Sequence, residues 1–504
     1  ENGTAVVLDG GLTLSDLDDT QIASASVRIS SGLTAGDVLA FVNQSGISGS
    51  YDAATGLLSL TGTATLAQYQ AALRTITFGS SSDDPTANAT ATTRGITWTV
   101  TDANSDGAGA GSGTRATSVT VVPAQDAPVL TAGGSSTYIE NGPAQAIGAT
   151  LAVGSGADDT HLSGATITIS GGYTAGDVLG FTPQNGISIV SNTNGVLVLT
   201  GNATLAQYQA ALRSVSYAST SEDPTAASAT RTVSWQVRDA NSDDAGVASS
   251  AVVTSTITLT AVNDAPVLMP QAGPAAFTEN GSAIAVDTGL TVSDADDTLI
   301  TGGTITITTG GLASDELAVV VAGSNITGSF NAATGVLTLT GTDTLANYQT
   351  VLRSLTYRST SDDPTDNGSK PNRVITYRLT DADSDGAGAA FGTATKTITI
   401  TATQDAPVLT AGGSTTYAEN AAAQVIDSSV TVVSDADDTE LSGATITISS
   451  GYTAGDTLGF TAQNGITVLS NTNGVLTLTG TATLAQYQAA LRSVTFASTS
   501  DDPT

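Results

Sequence analysis

The sequence predicts an all-β fold: tandem antiparallel β-sandwiches, each with one short inserted helix. Three observations predict it. The chain repeats itself at a period of domain size. Within each period, apolar residues alternate with polar β-branched ones. One segment per period breaks that alternation and spaces its apolar residues three and four apart.

The repeat comes first, because every other element is read within it. Glu-Asn occurs at Glu1, Glu140, Glu279 and Glu419, in steps of 139, 139 and 140. Asp/Glu-Asp-Pro-Thr ends at Thr86, Thr225, Thr365 and Thr504. Gln/Asn-Asp-Ala-Pro-Val-Leu recurs at 125–130, 263–268 and 404–409. A solenoid unit is far shorter than this period; an independent domain matches it. Four copies follow, bounded at the junction aspartates: 1–126, 127–264, 265–405 and 406–504. The first is expected to lack its opening strand and the last its final strands. The sequence then reads as a window on a longer protein, with any export signal outside it.

The strands are read from period-two alternation. Ala25, Val27 and Ile29 alternate with Ser24, Ser26, Arg28 and Ser30. Ile96, Trp98 and Val100 alternate with threonines, as do Ile305 and Ile307, and Ile398 and Ile400. β-Branched polar residues on the wet face suit a half-buried strand. Asp52-Ala-Ala-Thr55-Gly56 and Asn331-Ala-Ala-Thr334-Gly335 end in the glycine that a turn with positive φ requires. Seven or eight such strands per copy predict an antiparallel sandwich.

The helix is read at Thr65–Arg74 and again at Thr204–Arg213, Thr344–Arg353 and Thr483–Arg492. Thr65 and Gln68 form a capping-box pattern. Leu66, Tyr69 and Leu73 make a core-like stripe, so the helix is expected to be pinned to the sandwich rather than to present a ligand platform.

Composition excludes several functions. Asp plus Glu number 46 against 14 Lys plus Arg, a formal charge of −32. Such a chain repels nucleic acid and anionic membranes and attracts divalent cations. No apolar run is long enough to span a bilayer. There is no cysteine and a single histidine, His161. That removes disulfides, a thiol nucleophile, a zinc cluster and an imidazole-based triad. Paired carboxylates suggest glycoside hydrolysis, but they recur in every copy within turn-like clusters and aromatics are scarce. The chain is read as no enzyme.

The acidic residues gather at five stations per copy. They are the Glu of Glu-Asn; Asp16-Leu17-Asp18-Asp19, echoed at 294–297 and 435–438; Asp83-Asp84 before Pro85; Asp102 with Asp106, echoed from Asp381; and the junction aspartates Asp126, Asp264 and Asp405. Calcium takes six to eight oxygens, largely carboxylates and carbonyls, and Asp-x-Asp spacings aim alternate oxygens at one ion. Asp and Asn also favour turns by capping their own backbone.

The order of Glu, Asp-Ala-Asp, aromatic-Asn-x-x-Thr-Gly-Val, Val-x-Asp and Asn-Asp-Ala-Pro resembles the cadherin repeat. It is carried here by Asp294/Asp296, Phe330 to Val336, Asp381 and Asn263-Asp264-Ala265-Pro266. It is most similar to the cadherin-like repeats of giant bacterial surface adhesins of the RTX, type I-secreted kind. The resemblance implies cadherin-like, Ig-like sandwiches with calcium between consecutive copies. The first junction would use Glu1, Asp126, Asp159 and Asp239, with Asp158 near. The second would use Glu140, Asp264, Asp294, Asp296 and Asp381. The third would use Glu279, Asp405, Asp435 and Asp437. Asp16, Asp18 and Asp102 hold the matching stations of the first copy.

Two departures from that family matter. Its acidic loop between the fifth and sixth strands is missing, and the helix plus an extra strand stand in its place. If these form a crossover, Asp84, Asp223 and Asp363 return to the Glu-Asn end and replace the lost carboxylates. In the second copy Gly156 occupies the place of Asp16, so the first junction is expected to bind less.

Three functions fit: the calcium-stiffened extender of an adhesin, a subunit of a polymeric surface filament or sheath, and a carbohydrate-binding module. Near-identical copies favour a spacer on the cell surface, used in adhesion or biofilm attachment. The expected partners are calcium, neighbouring copies of the same chain and, in a filament, like chains. A lectin would need an aromatic pocket, and Trp98 and Trp235 are both expected to face inward.

Overall fold

A computed structural model describes residues 3–131, 133–154, 159–242, 244–384, 386–434 and 438–501. The chain forms two compact units, Glu1–Val262 and Asn263–Thr504. Each unit holds two separate hydrophobic cores.

The alternation read from sequence becomes sheet. In the first unit, Ala25, Val27 and Ile29 are at most 5% exposed along Gln21–Ser31, while Ser26 between them is half-buried and Arg28 exposed. The residues from 127 onward build a six-stranded sheet in the order Ser135–Ile139, Val253–Thr260, Thr230–Asp239, His161–Gly171, Val196–Thr204, Ser188–Thr193. Opposite it lies a three-stranded sheet of Gln145–Ala146, Ser216–Ser219 and Asp177–Gly180. Ile167, Leu197, Val233 and Trp235 from the larger sheet meet Leu179 and Tyr217 from the smaller one, all buried. Each such side chain contributes roughly 1.5–3 kcal/mol by leaving water. In the second unit, residues 267–401 repeat this topology strand for strand. The inward faces expected for the two tryptophans are observed: Trp98 is 4% exposed and Trp235 fully buried.

The opening stretch departs from a simple antiparallel sandwich. It splits at Gly133–Gly134, where Gly134 takes φ 75°. Val129–Thr131 pairs antiparallel with Ala152–Gly154, whereas Ser135–Ile139 pairs parallel with Val253–Thr260. The break sends one half to the edge of the six-stranded sheet and the other to a separate two-stranded pair; this copy has eleven strand segments against the expected seven or eight.

The helices appear where expected, as Leu66–Leu73, Leu205–Arg213, Leu345–Arg353 and Leu484–Arg492. The capping box forms at Thr65, Thr204 and Thr483. At Thr344 the third position is Asn347; its shorter side chain turns back to Asp343 instead, at 2.7 Å. Tyr69 is fully buried and Leu73 1% exposed. Tyr69 also donates its hydroxyl to the Gly62 carbonyl at 2.6 Å. The far end of each helix straps down a loop: Arg213 Nε donates to the Leu151 carbonyl at 2.7 Å and Gln209 Oε1 accepts from the Val153 N–H at 3.1 Å.

A second set of contacts ties the loop after the extra strand to the sandwich. Arg94 pairs with Asp37 at 2.6 Å, Arg231 with Asp177 at 2.7 Å and Arg373 with Asp315 at 2.7 Å, all fully buried. The same guanidiniums donate to the carbonyls of Pro85, Pro224 and Pro364. Each pair therefore fixes the Asp-Pro turn that carries Asp84, Asp223 or Asp363.

Candidate metal site at the entry end of a copy

Among the described residues of the second unit, three clustered aspartates lie where the chain enters the third copy. Asp294, Asp296 and Asp297 follow the short strand Thr291–Ser293, and each offers a carboxylate oxygen within 4.8 Å of the others'. The turn folds tightly because Asp294 Oδ1 accepts the N–H groups of Asp296 at 3.3 Å and Asp297 at 3.1 Å. The incoming segment is held over this turn. The Asp264 N–H donates to Asp296 Oδ2 at 2.8 Å. Asn263 Nδ2 donates to Asp381 Oδ2 at 3.2 Å and to the Asp264 carbonyl at 3.1 Å. Asp381 ends the strand Asn372–Asp381 and is fully buried. The expected residues Asp264, Asp294, Asp296 and Asp381 are thus brought together.

What these oxygens lack is as informative as what they bind. Asp294 Oδ2, Asp296 Oδ1, Asp297 Oδ2 and Asn263 Oδ1 are buried atoms with no hydrogen-bond partner among the described residues. A buried carboxylate oxygen left without donor or cation carries a large desolvation cost. Burial, together with the Asp296 carboxylate alongside, pushes the Asp294 carboxyl up to about 7. Four unsatisfied oxygens from a carboxylate-rich set supply part of the six to eight that calcium takes, and their hard-donor chemistry fits that ion.

Other copies repeat parts of the arrangement. In the first copy Asp16, Asp18 and Asp19 cluster within the same 4.8 Å. Backbone donors hold the Asp16 carboxyl low, and the neighbouring Asp16 raises that of Asp18. Asp102 accepts the N–H of Asn104 at 3.0 Å and of Gly111 at 2.6 Å. At the first junction Gln125 Nε2 donates to Asp239 Oδ2 at 3.1 Å and to the Asp126 carbonyl at 2.7 Å. At the third, Gln404 Nε2 donates to the Asp405 carbonyl at 3.0 Å and to Asp438 Oδ2 at 2.9 Å. Glu1, Asp158, Asp435 and Asp437 lie outside the described residues.

The Glu-Asn station sits at the opposite, exit end of its copy. Glu140 Oε2 accepts the Val262 N–H at 2.9 Å and Glu279 Oε2 the Thr403 N–H at 2.7 Å. Asn141 Nδ2 reaches Glu222 Oε2 at 3.2 Å, so the loop of Asp223 does return to this end. Asp223 and Asp363 nevertheless spend oxygens within the loop. Each accepts from the threonine two residues on, Thr225 and Thr365, at 3.1–3.2 Å. Asp84 accepts the Asn88 N–H at 3.0 Å.

Sequence reasoning missed one role and one group of residues. In the first three copies the last aspartate of the acidic turn is a clamp, a role not expected even for Asp159, which the resemblance had placed among the ligands. Asp159 Oδ1 takes both the N–H and the hydroxyl of Ser242, at 2.9 and 2.7 Å. Asp19 does the same with Ser105 and Asp297 with Ser384. The signal was the serine repeated in every Asp-Ala-Asn/Asp-Ser loop or its Asp-Ala-Asn equivalent. The missed group is the Gln or Asn before each junction aspartate, whose amide bridges the incoming chain to the acidic cap.

No family model matches the chain. Halomucin of Haloquadratum walsbyi (strain DSM 16790 / HBSQ001) is 40% identical over 89 residues, 16% of this chain. The matched stretch amounts to 1% of halomucin's length. Among solved structures, PcdhgB3 EC1-4 is similar at 13% identity and TM-score 0.26, over 77% of this chain and 72% of that one. Mouse protocadherin-24 EC1-3 is 15% identical at TM-score 0.23, over 73% and 90%. Drosophila N-cadherin EC1-4 is 10% identical at TM-score 0.20, over 95% and 87%. The assignment of the fold rests on the sheets and cores described above. Among the described residues no helix is long and apolar enough to cross a membrane.

Proposed function

We propose that this chain is a non-enzymatic extracellular extender of a large bacterial surface adhesin, built of four sandwich copies, 1–126, 127–264, 265–405 and 406–504, and stiffened by calcium at their acidic ends. The observation that supports it most is the set of unpartnered buried oxygens on Asn263, Asp294 and Asp296. Calcium would be held in the third copy by Asp264, Asp294, Asp296 and Asp381. Asp126, Asp159 and Asp239 would take this role at the first junction, with Asp158 near in sequence. Asp405, Asp435 and Asp437 take it at the third, and Asp16, Asp18 and Asp102 in the first copy. Glu1, Glu140 and Glu279, with Asp84, Asp223 and Asp363 nearby, supply the exit ends.

The bound ion neutralises carboxylates that otherwise repel one another. The protein's own part is to keep them crowded. The Asp294 turn, the Asn263 amide and the Asp297 clamp hold the oxygens before any ion arrives, which lowers the ordering cost of binding. Extracellular modules bind calcium at roughly 0.1–1 mM, so the joint is loaded outside a cell and emptied in low calcium. Near-identical copies add reach without adding a new ligand site.

Calorimetric titration of the whole chain with calcium tests this reading. Asp296→Asn together with Asp294→Asn should remove a class of sites present in the parent protein. Identical isotherms for parent and variant would refute the assignment.

A further inference from the structure

The chain has two lysines, and one of them is buried. Lys396, on the strand Phe391–Thr401, is 7% exposed. Its Nζ donates to the Gln271 carbonyl at 2.7 Å and lies 3.5 Å from Asp287 Oδ2. Asp287 is itself 3% exposed. Backbone donors grip both its oxygens: Gln271 N–H to Oδ2 at 2.8 Å and Gly289 N–H to Oδ1 at 3.0 Å.

The third copy alone has this pair, and it arrives as a coordinated exchange. By strand register, Lys396 opposite Ile375 takes the place of Ser255 opposite Val233 and of Thr117 opposite Ile96. In the first two copies that hydroxyl accepts an indole N–H, from Trp98 at 2.9 Å and from Trp235 at 2.8 Å. In the third copy the indole is replaced by Tyr377, whose buried hydroxyl has no hydrogen-bond partner among the described residues. Asp287 is matched by Asp9 in the first copy and Asp427 in the fourth, where the carboxylate likewise accepts the N–H two residues on, from Gly11 at 2.9 Å and Ser429 at 2.7 Å; the second copy has Gly148 instead. The smaller Tyr377 ring in place of the indole leaves room for the lysine stem, so the lysine, and not the aspartate, is what sets this copy apart. Burial pushes the Tyr377 hydroxyl up, and the Asp287 charge pushes it further.

We propose that Lys396 and Asp287 become joined by an intramolecular isopeptide bond. One proton passes from the ammonium to the carboxylate, giving amine and acid. The amine nitrogen attacks the Asp287 Cγ and the C–N bond forms. The hydroxyl of the acid leaves with a second nitrogen proton as water. Atoms and charge balance with no oxidant, cofactor or co-reactant. The Gln271 and Gly289 N–H groups are aimed at the oxygens on which negative charge develops. The Gln271 carbonyl holds the nitrogen beside the carbon. Surrounding core keeps bulk water from the site. Asp287 follows Ile284–Ala285 of the smaller sheet and Lys396 belongs to the larger one, so the bond staples the two layers covalently.

Mass spectrometry of the intact, purified chain tests the proposal. The expected mass is lower than the sequence mass by one water, and proteolysis yields a branched peptide containing Asp287 and Lys396. Lys396→Arg retains the charge but cannot form the amide, and it should return to its full sequence mass. The proposal is overturned if the parent chain has its full sequence mass and the two residues map to separate linear peptides, which leaves a salt bridge only. It is equally overturned if the Lys396→Arg chain also lacks one water, because dehydration at another aspartate then accounts for the loss.

Discussion

At the scale of single residues, Asp294 is the carboxylate whose charge the fold resists most openly. Its folded value is raised to about 7 from 3.8, so the unfolded chain binds fewer protons than the folded one between those limits. Without cation, this residue's contribution to stability is complete below 3.8 and is lost as pH rises through about 7. In chelator, the urea midpoint of the transition that includes the third copy should fall across that interval, and Asp294→Asn should flatten the slope. Calcium bound as proposed would invert the dependence, because binding requires the ionised form and its affinity grows as protons leave. A chelated midpoint that rises over the same range would contradict the assignment. The buried Arg–Asp pairs make a second residue-scale case. Arg94→Leu leaves Asp37 buried without its counter-charge and should cost about 3–5 kcal/mol, measured by urea unfolding. The Asp294/Asp296 pair was legible in the sequence as an Asp-x-Asp spacing, whereas Asp381, far along the chain, was joined to it only through the resemblance to the cadherin repeat. The pairing of Asp37 with Arg94 was not legible, because 57 residues separate the partners. The clue available was that an arginine stands at that strand position in three copies of a chain with so few cations.

Elements were legible to the extent that their periods are local. The helix announced itself by its stripe and by Thr-x-x-Gln, and its role as a pin agrees with the burial of Tyr208 and Leu212. Tyr208→Ala should cost about 3–5 kcal/mol by opening a cavity under the crossover. Thr204→Ala should cost about 1 kcal/mol by removing the cap. Urea unfolding of the two variants separates these effects; equal small losses would mean that the helix is not part of the core. The split opening strand was not legible. Its two halves differ only in which edge they join, and the parallel pairing of Ser135–Ile139 with Val253–Thr260 joins segments more than a hundred residues apart in sequence. Turn residues did signal correctly where φ demanded it: Gly56 and Gly335 take φ of 66° and 63°.

At the scale of the whole molecule, the repeat was the most legible feature, because four copies of one pattern need no structural template to be seen. The ends of each copy were less so. Glu140 and Glu279 fall at the exit end and the Asp-x-Asp turns at the entry end, a polarity that follows from strand order and not from spacing. In the proposed function, that polarity would set the acidic ends of successive copies at the joints. The central claim is that calcium fixes those joints. Small-angle scattering of the chain in calcium and then in chelator tests it most directly. The account predicts a longer maximum dimension and a narrower distribution of conformers with calcium, reversed by chelation. The same dimension and the same distribution in both conditions would contradict it.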